Sequence, residues 1–120
     1  MLIDEFRDYC LAKKGVSESM PFDQYTLVFK VGPKMFALAS LDQIPLRVNL
    51  KCAPDRAVIL REEYPEVVLP GYHMNKTHWN TIVVGGDLSR LWFQELIDRS
   101  YDLVWAALTK KQKELIALGH

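Results

Sequence analysis

Residues 26–51 read TLVFKVGPKMFALASLDQIPLRVNLK, and this stretch decides the fold class. Residues 26–31 (TLVFKV) are rich in β-branched and aromatic strand formers. Gly32-Pro33 breaks the run and residues 35–40 (MFALAS) resume it, which predicts a hairpin. Residues 46–51 then alternate. Leu46, Val48 and Leu50 face one side, and Arg47, Asn49 and Lys51 face the other. A period of two with one polar face predicts a half-buried antiparallel strand.

The flanks change period. Leu2, Ile3, Phe6, Tyr9 and Cys10 recur at helical steps and predict a helix over residues 2 to about 14. Gly15 stops it, with Lys13 and Lys14 in the last turn where the dipole favours cations. Residues 17–22 are expected as an edge strand, since Pro21 suits an edge. Pro54 opens a second helix at a first-turn position, with Ala57, Leu60 and Tyr64 inward and Pro65 ending it. Residues 65–77 read as a loop, and HWNTIVV (78–84) as a strand closed by Gly85-Gly86. A long helix starts near Leu88 or Ser89. Its stripe is Phe93, Leu96, Ile97, Val104, Ala107 and Leu108, flanked by Trp92 and Trp105. A short basic segment over 109–120 carries Lys110, Lys111 and Lys113. The order helix, strands, helix, strand, helix predicts an α+β fold: a mostly antiparallel sheet backed by helices on one face. One domain over 1–120, with its core over about 2–108, is expected.

Bulk properties narrow the function. The 120 residues suit one hydrophobic core, and 49% hydrophobic with 25% charged residues is an ordinary globular balance. Fifteen basic residues meet fifteen acidic ones, unlike a strongly basic nucleic-acid binder. The neutrality is regional, however. Residues 30–61 hold six basic side chains against two acidic, and residues 62–98 hold two basic against six acidic. No run of about 18 apolar residues is present, which predicts no membrane span. MLIDEFRDYC is acidic and amphipathic, unlike a signal peptide, so the expected compartment is the cytoplasm. Cys10 and Cys52 are then expected as free thiols.

LPGYHMNKTHWNT (69–81) is the densest polar stretch. Four readings compete for it. A metal site would use His73 and His78, but their spacing of five is not a helical pair and no third ligand joins them. A cysteine hydrolase would pair Cys52 with His73 or His78, without a local nucleophile signature. A nucleic-acid contact would place Lys76 on phosphate, Asn75 or Asn80 on base edges and Tyr72 or Trp79 in a stack. Lastly, the loop's side chains bond its own backbone, with Trp79 anchored in the core. The last reading is compatible with a binding role, since a binding loop must itself be held.

TLVFKVGPKMFALASL, NLKC (49–52), PGYHMNKTHWNT (70–81) and SYDLV (100–104), in this order and spacing, resemble the MmcQ/YjbR family of small bacterial proteins. The resemblance spans about residues 5–108. It implies a CyaY/frataxin-like fold, a twisted antiparallel sheet with helices on one side, described as a double-wing motif. It also implies a DNA-binding role, without an established operator or reaction; a non-enzymatic protein is the expectation, with a Cys52–histidine hydrolase as the weaker alternative. Asn49, Lys51, Cys52, Tyr72, His73, Met74, Asn75, Lys76, His78, Trp79 and Asn80 match the family's phrases by position. Thr77 departs from them, standing where the family often has a basic residue. The frataxin likeness does not bring iron binding with it, because the first helix lacks a dense acidic ridge.

Residues and resemblance combine into one expectation. A monomer without cofactor or metal contacts DNA phosphate through Lys30, Arg47, Lys51 and Lys76. Asn49, Tyr72, His73, Asn75, His78, Trp79 and Asn80 complete the face. The alternative is a small-ligand or protein-interaction module that uses the same loop without nucleic acid.

Overall fold

The computed structural model describes residues 2–119. Its elements run α1 (Ile3–Leu11), β1 (Val16–Ser19), β2 (Thr26–Val31), β3 (Lys34–Ser40), β4 (Leu46–Lys51), α2 (Pro54–Glu63), β5 (Val68–Pro70), β6 (Trp79–Val84), α3 (Arg90–Ala106) and α4 (Lys110–Ala117). The six strands form one open sheet in the order β1-β2-β3-β4-β6-β5. Every neighbouring pair is antiparallel. The α+β architecture read from the alternating strands is therefore the architecture present.

All four helices share one side of the sheet. Phe29, Val31, Ala37, Ala39, Val48, Leu50, Ile82 and Val84 point into a core that Phe6, Cys10, Leu60, Phe93, Ile97 and Ile116 complete from the helices. Phe6 lies between Phe29, edge-on at 5.5 Å, and Phe93, stacked at 5.8 Å. Such aromatic contacts add about 1 kcal/mol each beyond their burial.

β2 and β3 slip register between Phe29 and Lys30. Below the last β3–β4 pair, Ala37 with Leu50, the Ser100 hydroxyl of α3 enters the ladder. It donates to the Phe36 carbonyl at 2.6 Å and accepts the Lys51 N–H at 2.8 Å. Ser100 is fully buried, so one hydroxyl satisfies two backbone groups and pins α3 to the sheet.

Several sequence expectations shift. Leu2 is 72% exposed and only flanks α1. Tyr64 stands at the C-terminal end of α2 and is 42% exposed, because its backbone has already left the helix. Ala107 is exposed just past α3. The 65–77 loop contains β5, an edge strand too short to show periodicity. The basic segment forms α4, capped reciprocally by Thr109 and Gln112. Ile116 of α4 lies 2.7 Å from where a Cβ would stand on Gly15, whose φ is +75°. Glycine is thus required there twice, for the backbone and for the close approach.

Candidate functional site

Alternation sends the other half of the strand residues to the helix-free face. Val28, Leu38 and Trp79 form a second, smaller apolar cluster there, with Met35 and Met74 against it. By register Thr26, Lys30, Ser40, Arg47, Asn49, Lys51 and Thr81 share that face. The expected polar side of β4 is therefore real, and the helices leave it uncovered.

The segment 71–78 folds back over this face. Gly71 N–H donates to the Trp79 carbonyl and Trp79 N–H to the Asn75 carbonyl, each at 3.0 Å. A Cβ on Gly71 would meet the Trp79 Cβ and carbonyl oxygen at 2.8 Å, so the crossing admits only glycine. Lys76 Nζ donates to the Gly71 carbonyl at 3.2 Å, and Asn75 Oδ1 accepts the Thr77 N–H at 2.8 Å. From α2, Arg61 donates to the Lys76 carbonyl at 3.1 Å.

Tyr72 is held at both backbone atoms. Its N–H donates to Thr81 Oγ1 at 2.9 Å, and its carbonyl accepts from Asn49 Nδ2 at 3.1 Å. The Thr81 hydroxyl donates in turn to Asn49 Oδ1. Two strand side chains thus present the complement of a peptide unit to the loop. The next residue, His73, has φ +60° and its ring lies 3.9 Å from that of Tyr72. A non-glycine residue in this region costs about 1–3 kcal/mol, and such strain concentrates where a fixed geometry is needed.

Loop and sheet enclose a cleft of about 510 Å³. Leu38, Ser40, Arg47, Asn49 and Thr81 form its floor, and Tyr72, His73 and Met74 one wall. Asp23, Tyr25, Asp42 and Gln43, from the β1–β2 and β3–β4 loops, form the other. Asp23 accepts the Tyr25 and Thr26 N–H groups at 2.8 and 2.7 Å. The Tyr25 N–H, joined by Thr26, holds this carboxyl below its usual range. Arg47 is half-buried, and its guanidinium has no ion pair or hydrogen bond among the described residues.

The expected contact residues therefore divide. Arg47, Asn49, Tyr72 and His73 meet at the cleft. Lys30 and Lys51 lie on the same face nearer the β2–β3 turn. Asn75 and Lys76 bond the loop's own backbone. Two expectations fail by orientation. Trp79 is 8% exposed, wedged against Val28 and Leu38, and offers no open ring for stacking. Asn80 is 2% exposed on the helix side, with Nδ2 on the Ala57 carbonyl at 3.4 Å and Oδ1 without a partner, so it reaches no base edge. His78 is exposed, and its carbonyl accepts the Cys52 N–H at 2.8 Å.

The cysteine–histidine pairing also fails for His73. Cys52 packs against the helix-side core, whereas His73 lines the cleft on the opposite face. Burial pushes the Cys52 thiol up, outweighing Arg56 and Arg99. No three His, Cys, Asp or Glu side chains gather for a metal among the described residues. No helix among them is long and apolar enough to cross a membrane. Sequence reading missed Asp23, Tyr25, Asp42 and Thr81. The first three sit on two turns that only the strand order brings opposite the 71–78 loop.

The model of the YjbR family matches residues 11–103. The chain belongs to the YjbR family. It is 32% identical over 116 residues to YjbR of Escherichia coli K12, covering 97% of this chain and 98% of that protein. It is 37% identical over 100 residues to YbdF of Escherichia coli O157:H7, covering 82% and 80%. The crystal structure of DR2400 from Deinococcus radiodurans superposes with a TM-score of 0.89 at 38% identity, over 96% of this chain and 87% of that one. A Pseudomonas syringae protein structure gives a TM-score of 0.71 at 26% identity, over 86% and 98%. In this YjbR chain, NLKC supplies the Asn49 half of the clasp, and PGYHMNKTHWNT supplies the loop with its Thr81 anchor.

Proposed function

We propose that the chain is a non-enzymatic binding protein. Its cleft holds a small zwitterion, a molecule of free amino acid type. The observation that carries this is Arg47. Arg47 is half-buried and its guanidinium has no protein partner among the described residues, which leaves a fork of donors matched to a carboxylate. Asp23 and Asp42 on the opposing wall balance an ammonium, and Tyr25, Tyr72 and His73 offer flat surfaces between the two ends. The wall acids also oppose a polyanion at this point. A binding role fits a loop held at both backbone atoms of Tyr72, since rigidity lowers the entropy cost of capture.

The test is a titration of isotopically labelled protein with free amino acids, their N-acetyl derivatives and their methyl esters. The expected result is saturable shifts at Arg47, Asn49 and Tyr72 with the free acids. Blocking either end, or Arg47→Ala, weakens them about tenfold, the equivalent of one charge-assisted bond. Equal binding of blocked and free compounds, or no shift, overturns the reading.

One observation favours DNA as a second reading. Lys30, Arg47 and Lys51 share the helix-free face by register. Three phosphate contacts predict a log–log salt slope of about −2.7, at about −0.9 per contact. A duplex titration at two salt concentrations tests it. Absence of binding at low salt, or a salt-independent affinity, removes this reading.

A further inference from the structure

A second cleft, of about 490 Å³, lies between the end of α2, β5–β6 and the start of α3; Val83, which lines it, is the register partner of Arg47 in the first cleft. Its aromatic wall is Tyr64 and Trp92, whose rings meet at 4.7 Å and 49°. Val67 and Val83 add apolar surface, and Gly85 and Gly86 have open space where a Cβ would stand. The charged residues lining it, among the described residues, are two carboxylates, Glu66 and Asp87. The nearest basic side chain in sequence, Arg90, is already paired with Glu5 at 2.5 Å.

Aromatic faces, an apolar floor and unneutralised carboxylates are the combination that recognises a cation with an apolar shell. We propose that this cleft binds a small alkylated ammonium ion, with Tyr64 and Trp92 against its methyl groups and Glu66 and Asp87 balancing its charge. The start of α3 opposes this with its positive pole. That pole amounts to about half a charge, and Ser89 Oγ already takes the Trp92 N–H. Two full carboxylates outweigh it. A metal cation, preferring close oxygen ligands to ring faces and methyl-sized space, fits the cleft less well.

The experiment titrates labelled full-length protein with choline and, separately, with 3,3-dimethylbutan-1-ol, its neutral carbon counterpart. The expected result is saturable movement of the Gly85, Gly86 and Trp92 indole signals with choline and about a tenfold weaker response to the alcohol. Tyr64→Leu and the surface double variant Glu66→Gln/Asp87→Asn should each weaken choline binding by about tenfold. The double variant keeps the test decisive if the aromatic change disturbs folding. Tyr72→Ala, which alters only the first cleft, should leave choline binding intact, and this separates the two sites. Equal response to choline and the alcohol, no saturation, or full binding by the double variant overturns the proposal.

Discussion

The Asn49 side-chain amide donates to the Tyr72 carbonyl at 3.1 Å, joining the middle of β4 to the loop that crosses the helix-free face. Thr81 completes the clasp on the Tyr72 N–H at 2.9 Å. Removing either side chain leaves a loop backbone group without its protein partner. Asn49→Ala and Thr81→Val should each cost about 1–3 kcal/mol and speed hydrogen exchange at Tyr72. Calorimetry and exchange on the two variants measure this; unchanged Tyr72 exchange would show that the clasp does not hold the loop.

Gly71 makes the sharpest steric prediction. Its substitution by alanine sets a methyl against the Trp79 backbone, which cannot give way as a flexible side chain can. Gly71→Ala should lower stability by about 1–3 kcal/mol, whereas Gly86→Ala, with open space around it, should lower it by less. Denaturant midpoints of the two variants compare them directly.

Ser100→Ala removes the hydroxyl that bridges the Phe36 carbonyl and the Lys51 N–H. Both groups lie where bulk water cannot easily replace it, so a loss of about 2–4 kcal/mol is expected for two bonds. Urea unfolding tests it. A loss below about 0.5 kcal/mol would mean that β3 and β4 close the gap by pairing directly.

High pH should weaken the fold through Cys10. Burial pushes its thiol up to about 12, against an ordinary value of 9.0. Its folded-state value is the higher one, so the folded state keeps the proton longer. The stabilisation is complete below pH 9 and is lost as pH rises towards 12. Tyr9, raised to about 12 by burial and then by its bond to Asp98, adds the same sign from pH 10 upwards. Between pH 9 and 10, Cys10→Ala should flatten the fall in stability by up to about 1.4 kcal/mol per pH unit, the value of one proton. Unfolding curves at stepped pH read this slope, and an unchanged slope refutes the assignment.

Local pattern was enough to reveal most elements, because period and punctuation are local physics. TLVFKV, MFALAS and the alternating LRVNLK announced β2, β3 and β4 within one residue of their bounds. Elements without period, β5 and the docking of α4, were not readable as such. Tyr64 shows the limit within a helix: the spacing was right, but Pro65 turned the backbone before the side chain reached the core.

The site was half legible for the same reason. Sequence by itself determined which side of β4 is polar, because alternation along one strand fixes which residues share a face. It also marked 69–81 as a loop rich in bonding groups. Tertiary structure alone decided what those groups do. Strand order set β4 beside β6, which turned Asn49 and Thr81 into one clasp. The fold-back of 71–78 spent Lys76 and Asn75 on backbone, while Arg47 has no partner among the described residues. The pleat sent Asn80 and Trp79 to opposite sides of one sheet. A pairing between strands thirty residues apart has no local signature, so the cleft exists only once the sheet has closed.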